Sequence, residues 1–516
     1  MNLRADIVIV GSGVGGGTLA SALAGSGAKV LILERGDYLP QEPENTSPDA
    51  VFRMGRYATR EDWRDETGRP YGANAYYHVG GASKMFGASM FRFRERDFEA
   101  FETSDGLSPG WPISYAELEP FYDRAERLFG VRGSAGEDPT EPWRSAAFAH
   151  EPVRHSRELA EDVVEPLLRQ GLKPFHIPLA IDEGVGGTCV RCATCDAYPC
   201  GVGAKGDAER SAVRVALRSE DVRLITRARV LRLIADASGN KIVGLDAEID
   251  GSVVRVSAST FVLAAGAINS AKILLESDHP RFPNGLANSA GHIGRNLMLH
   301  VSSAMVAVDL RQKAPIEFQK TVAINDFYFG QDGKGAPLGS IQALGKVNEL
   351  SIRAGAKWMP RTMAEAILKR SVEWWIMTED LPDSRNRIER DGSSVKIRYE
   401  PNNTSAHREL LKRWTSVMRR IGRPIAFSRA AGKTSTTHQC GTVRFGRTPD
   451  EGALDPFCRS FDHGNLFVMD GSFFPSSAAL NPALTIAAQA LRVAGHFLGA
   501  GPGSNQPTDK GNAPSA

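Results

Sequence analysis

The segment Gly11-Ser12-Gly13-Val14-Gly15-Gly16 constrains this chain more than any other. It is a G-x-G-x-x-G turn set between an apolar run, Ala5 to Val10, and a run of small residues from about Gly15 to Ala24. A second short run, Lys29 to Leu33, then leads to Glu34. That order predicts strand, phosphate turn, helix and strand, a βαβ unit whose bare backbone amides approach a pyrophosphate at a helix N-terminus. Glu34, twenty-three residues after Gly11, is placed to accept hydrogen bonds from ribose hydroxyls. Glycines also make turns with no ligand, but strand, helix and acid at these distances together favour a dinucleotide.

The surroundings suit a large soluble enzyme. A length of 516 residues predicts about three domains, or fewer large ones sharing a core, and 42% apolar with 24% charged residues predicts that the core is packed. Lys plus Arg number 62 and Asp plus Glu 60, with no basic block to track a phosphate backbone, so nucleic acid is not an expected partner. The most apolar long stretch, Ala478 to Leu498, is broken by Asn481, Pro482, Gln489, Arg492 and His496. It reads as a buried amphipathic helix, and no membrane partner is expected. Ala5 to Val10 reads as a strand and leaves no room for a signal peptide, and four of six cysteines crowd into Cys189 to Cys200. The expectation is a reducing, cytoplasmic location.

Further along, Ser114 as N-cap with Glu117 at the capping-box position predicts a helix from Tyr115 to Phe129. The runs Val222 to Ile225, Val230 to Ile234, Lys241 to Glu248 and Val253 to Val256 predict a meander of antiparallel strands that ends in a buried strand, Phe261 to Ala265. Residues 300 to 430 mix β-like runs with a helix at Ala406 to Ile421, which suits a second domain. The last sixteen residues, rich in Gly, Pro, Ser and Asn, read as disordered.

Two later segments suit the same cofactor: Thr260-Phe-Val-Leu-Ala-Ala-Gly-Ala267, a strand ending in small residues, and Leu466-Phe-Val-Met-Asp470-Gly471, followed by Asn481-Pro-Ala-Leu-Thr485. An Asp at a strand end suits a hydrogen bond to a ribityl or phosphate region. The order of these segments, with Tyr77-His-Val-Gly-Gly-Ala-Ser-Lys-Met-Phe-Gly87, Gly285-Leu-Ala-Asn-Ser-Ala-Gly-His-Ile-Gly-Arg-Asn-Leu297 and Thr437-His-Gln-Cys-Gly-Thr442, resembles the glucose-methanol-choline (GMC) flavin oxidoreductases. The resemblance runs to about residue 498, and Glu379-Asp-Leu-Pro-Asp-Ser-Arg-Asn-Arg387 resembles bacterial pyranose and glycoside (C-glycoside 3-) oxidases most.

The resemblance implies an α/β fold: a Rossmann-like FAD-binding domain of the GMC type with a discontinuous α+β substrate domain built on an antiparallel sheet. The implied FAD-binding parts are 1–150, 206–300 and 431–500, the last with the catalytic pair. Residues 151–205 form a connector with the cysteine loop, 301–430 the substrate-binding part and 501–516 the tail. It implies FAD with its ADP half at Gly11, Gly13, Val14, Gly16, Glu34 and Arg35, and adenine at the Val230 backbone. Gly80, Gly81 and Ser83 then lie along the pyrophosphate and flavin, Asp470 and Gly471 near the ribityl chain, and Pro482 and Thr485 near the flavin. Some members link FAD through a His in the 77 to 87 segment. Here His78 precedes the glycine pair, and Ser83 and Lys84 stand where the linking His would be, so FAD is expected to be noncovalent.

Alcohol oxidation needs a base for the O–H proton and a hydride acceptor for the C–H hydrogen, and a histidine near pKa 6.5 suits the first role. The resemblance puts His438 there, opposite Asn481, whose amide would hold the substrate oxygen. A purely structural Asn481 would be a helix N-cap before Pro482. His300 and His463 rank lower, since neither has an Asn partner on a matched segment.

The run Cys189-x2-Cys192-x2-Cys195-x4-Cys200 resembles a ferredoxin chelating loop and admits an iron-sulfur cluster or zinc, but its spacing departs from C-x2-C-x2-C-x3-C-P. Buried thiols beside the flavin domain are the favoured reading. The combined expectation is oxidation of a secondary alcohol of a small-molecule sugar or glycoside to a ketone, by hydride transfer to flavin N5, with oxygen or another acceptor taking the electrons. A sterol or aliphatic alcohol as substrate, and an FAD-containing lyase on the same scaffold, stay open as alternatives.

Overall fold

Four-residue apolar runs with no polar face fit only where both faces of a sheet are covered. Ile7–Val10 and Val30–Leu33 are buried at every residue. They lie at the centre of a five-stranded parallel sheet ordered Val222–Ile225, Val30–Leu33, Ile7–Val10, Thr260–Leu263, Leu466–Val468. This computed structural model describes residues 2–499 apart from 73–74, 313, 331–334, 393 and 433–437. Thr437 and the tail expected to be disordered, 501–516, therefore lie outside the described residues.

The helix Val14–Leu23 packs against Ala483–Phe497, which in turn packs against Tyr115–Phe129. The last begins as expected: the Ser114 side chain accepts from the Glu117 N–H, and the Glu117 carboxylate accepts from the Ser114 N–H at 2.8 Å.

The expected meander is corrected at its first member. Val222–Ile225 pairs parallel with Val30–Leu33 and belongs to the nucleotide-binding sheet. Its register delivers the chain to Glu34, whose carbonyl accepts from the Ala228 N–H at 2.8 Å. The antiparallel meander is Ala228–Ala235, Ile242–Ile249 and Ser252–Ser257. Thr260–Leu263 then re-enters the parallel sheet between Ile7–Val10 and Leu466–Val468.

A second layer is a six-stranded antiparallel sheet ordered Ile425–Ala430, Val301–Val308, Ser371–Thr378, Ser340–Ala343, Val322–Ile324, Phe175–His176. The amphipathic helix Thr404–Arg420 closes it, burying Leu410, Trp414 and Val417. The Trp374 and Trp414 rings meet edge to face with centroids 4.8 Å apart. This is the antiparallel sheet expected beside the Rossmann-like part. No helix among the described residues is long and apolar enough to cross a membrane.

Trp414 is fully buried and Trp358 is 75% exposed. Trp414→Ala should lower stability by about 3–5 kcal/mol and Trp358→Ala by no more than about 0.5 kcal/mol. Thermal denaturation of the two variants checks this, and equal shifts would refute the assignment of the second core.

Candidate active site

The turn at Gly11 is pressed between the ends of two neighbouring strands. Gly11 has φ +100°, and a Cβ there would stand 2.3 Å from the Ala264 carbonyl oxygen. A Cβ on Gly15 would lie 1.8 Å from the Met469 carbonyl oxygen, and one on Gly16 2.1 Å from that of Gly11. Gly13 differs: nothing lies within 4 Å of its Cβ position. The helix Val14–Leu23 therefore starts beside open space, with no side chain capping it. First-turn amides without internal partners form an anion site.

Three more segments close around this turn. Ser12 donates its N–H and hydroxyl to Glu34 Oε2 at 2.9 and 2.6 Å, and its oxygen accepts from the Gly80 N–H at 3.1 Å. Gly36 donates to Glu34 Oε1 at 3.0 Å. Burial raises the Glu34 carboxyl above its usual range against these hydrogen bonds. A Cβ on Gly81 would stand 3.1 Å from the Gly13 Cα, so the two loops touch. Ser83 is spent on structure, donating to the Gly80 carbonyl at 2.6 Å and accepting from Ala208 at 2.9 Å. Arg35 pairs with Glu61 at 2.5 Å and lies 4.1 Å over the Tyr77 ring. Val230 is buried, at a register shift two residues beyond Ala228.

Asp470 is where the structure departs from the sequence reading. Its Oδ2 accepts from the Gly266 N–H at 2.9 Å and the Ser270 hydroxyl at 2.5 Å, and its Oδ1 from the Ser472 N–H at 2.9 Å and hydroxyl at 2.5 Å. Four donors fill the four acceptor positions of a carboxylate, so this side chain has none left for a ribityl chain. It ties Leu466–Val468 to the end of Thr260–Leu263, and any approach of 470–471 to a cofactor is through backbone. Gly471 meets the Gln439 carbonyl, 2.5 Å from a would-be Cβ. The Thr485 hydroxyl is bonded to Tyr122 at 2.7 Å.

From 466 to 480 every residue is buried, and Asn481, Pro482 and Ala483 then emerge half-buried. Asn481 Nδ2 lies 3.4 Å from His438 Nε2, so the expected pair comes together. Two further residues complete it: His300, which the sequence ranked below His438, and Gln342, which it did not single out. His300 Nδ1 lies 2.9 Å from His438 Nδ1, and the Gln342 amide donates to Asn481 Oδ1 at 2.9 Å. The Met298 and Cys440 backbones exchange hydrogen bonds, both at 3.0 Å, which brings the segments of His300 and His438 side by side. Gln342 is a buried polar residue in the strand Ser340–Ala343, whose residues alternate polar and apolar, so no local pattern marked it. His463 is elsewhere, its Nε2 accepting from the Ala287 N–H at 3.1 Å.

Burial, with the charges of His300 and Lys320 adding to it, holds the His438 imidazole well below its usual value. Burial alone pushes His300 down to about 4 against hydrogen bonds to the Ser477 and Ala478 carbonyls. Lys320, itself buried, is paired with Asp196 at 2.6 Å. The loop carrying His300 is pinned by Asp380, whose Oδ2 accepts from the Leu299 N–H at 2.9 Å.

All six cysteines are free thiols. Cys195 is buried in the main core, with Cys189 and Cys200 packed partly buried against it. Among the described residues no three His, Cys, Asp or Glu side chains gather closely enough to hold a metal ion.

Comparison with known proteins matches residues 14–302 and 341–490 to the N- and C-terminal models of the GMC oxidoreductases. The chain is 32% identical to paromamine 6'-oxidase of Streptomyces fradiae, over 95% of this chain and 90% of that protein. It is 31% identical to 6'''-hydroxyparomomycin C oxidase of Streptomyces lividus, over 94% and 90%, and 27% identical to the fructose dehydrogenase large subunit of Gluconobacter japonicus, over 96% and 98%. Among solved structures, pyridoxine 4-oxidase from Mesorbium loti superposes with a TM-score of 0.68 at 20% identity, covering 96% of this chain and 99% of that one.

The cradle fits the pyrophosphate of FAD, because open space and uncapped amides meet at Gly13. Gly13→Ala should leave the fold intact and weaken FAD by at least about 10-fold, through a methyl placed where phosphate approaches. Gly15→Ala should instead fail to fold, because its methyl meets backbone. Circular dichroism and flavin titration separate the two, and unchanged affinity in Gly13→Ala would move the phosphate site elsewhere.

Proposed function

Because this chain belongs to the GMC oxidoreductase family, flavoenzymes that act on CH–OH groups, we propose that it oxidises an alcohol of a sugar or glycoside, with His438 as base and Asn481 as holder of the substrate oxygen. The observation that carries this reading is the meeting of His438 and Asn481, both half-buried, at 3.4 Å. Around it stand polar groups, Gln342 and the Lys320–Asp196 pair, of the kind that a hydroxyl-rich substrate needs and a sterol does not. The names of the relatives, which concern paromamine, hydroxyparomomycin and fructose, support the same substrate class.

Bound FAD supplies the acceptor for the hydride. The chain's own part is to place and deprotonate the alcohol. The Asn481 amide donates to the carbinol oxygen, and the O–H proton passes to His438 Nε2. The C–H hydrogen leaves with its electron pair, and the C–O bond becomes C=O. Oxygen or another acceptor then takes the two electrons onward. Burial of His438 keeps it neutral at pH 7, which is the form a base requires. We take FAD to be noncovalent, since His78 is the one histidine of residues 77–87 and its backbone bridges to Asp37 on the far side of the glycine pair.

Acid precipitation should release all the flavin, and anaerobic mixing with glucose, methyl glucosides, fructose and paromamine should bleach it, whereas simple alcohols and sterols should not. A flavin that stays yellow with every sugar while product forms would indicate a lyase. His438→Ala should slow bleaching by about 10²- to 10⁴-fold and Asn481→Ala by about 10²-fold. Full activity in either variant sinks the site assignment.

A base whose pKa is lowered stays deprotonated as pH falls, until that lower value is reached. The acid limb of kcat/KM should therefore lie below the ordinary histidine value of about 6.5. A limb at or above it would contradict His438 as the base.

A further inference from the structure

We propose that His300 is a positioning residue: it holds His438 in the one tautomer that leaves a lone pair on the nitrogen beside Asn481. This rests on the reading of His438 as the base.

Two independent lines of hydrogen bonds lead to the same assignment. The first starts at the Ser477 carbonyl, 3.1 Å from His300 Nε2. A carbonyl oxygen only accepts, so His300 carries its proton on Nε2. Its burial disfavours the imidazolium, and a neutral ring with Nε2–H has a lone pair on Nδ1. That lone pair faces His438 Nδ1 at 2.9 Å, so the proton between the rings belongs to His438. His438 Nε2 is left bare.

The second line starts at Gln342, whose Nε2 donates to Asn481 Oδ1 at 2.9 Å. This turns Asn481 Nδ2, a donor only, toward His438 Nε2 at 3.4 Å. A donor needs an acceptor, and again Nε2 must be bare. The 3.4 Å separation is long for a hydrogen bond, so a carbinol oxygen entering there can accept from Asn481 and donate to His438.

The backbone supports the same picture. His300, His438 and Ala478 have φ of +85°, +56° and +51°, a left-handed conformation that costs strain in residues with a Cβ. Three such residues meet at this line. The Ser477 carbonyl is itself held, because the Ser477 hydroxyl accepts from the Asp380 N–H at 3.0 Å and donates to the Asp380 carbonyl at 2.9 Å.

The test uses FAD-loaded enzyme labelled with ¹⁵N-histidine, with His438 assigned by its loss in His438→Asn. Long-range ¹H–¹⁵N spectra should show His438 protonated at Nδ1 and bare at Nε2. The opposite tautomer, or an even mixture, overturns the proposal whatever the substrate is. In anaerobic flavin reduction by paromamine, His300→Ala should lower the rate by roughly 10²-fold, the low end of what a placed base supplies, with little change in KM. His300→Asn, whose side-chain oxygen takes the place of Nδ1 as acceptor, should recover most of that loss. Equal losses in the two variants at normal FAD content would mean that His300 merely fills space. If His300→Ala does not retain FAD, the spectrum and the Asn variant decide. If no sugar reduces the wild-type flavin, the functional reading fails and the tautomer measurement still judges this one.

Discussion

The Met469 carbonyl occupies the place of a side chain on residue 15. That one backbone contact locks the phosphate turn against Leu466–Val468, and much of the structure follows from it. The same strand runs on to Asp470, whose four accepted hydrogen bonds tie it to Gly266, Ser270 and Ser472. Beyond it, the buried stretch to residue 480 carries Asn481 to His438. A nucleotide turn near the start of the chain and a catalytic amide near its end are thus held in one frame, by contacts too short to slide.

The substrate side is built the opposite way, from long strands and large side chains. Strand Val301–Val308 begins just after His300, and Ser340–Ala343 places Gln342 two strands away in the same sheet. The sheet is packed on its helix through Trp374 and Trp414, and a packed scaffold suits residues that must orient others. The buried acids Glu379 and Asp380, pushed up to about 8 and about 7 by burial, sit where the two halves meet. They accept hydrogen bonds from Ser108 and Leu299, on segments outside the 301–430 part that carries them.

Much was legible in the residue order. The βαβ unit, the Ser114 cap and the amphipathic helix Thr404–Arg420 are local patterns, in which each signal lies within a few residues of the element it specifies. Val222–Ile225 was misread because a short apolar run states that it is buried and not which neighbour it pairs with. Asp470 was misread for a related reason: an acid at a strand end suits a ligand, and two of the four donors that surround it, Gly266 and Ser270, lie some 200 positions away.

By itself, then, the sequence determined the dinucleotide fold, because strand, glycine turn, helix and acid follow one another at short, fixed spacing. It also determined the family, and through it the candidate pair His438 and Asn481. Only the tertiary structure decided what surrounds that pair. His300 lies 138 residues from His438 and Gln342 lies 139 from Asn481, and no local pattern records which ring nitrogen faces which amide. Orientation and tautomer are set by contacts between distant segments, and those contacts exist only once both sheets are formed.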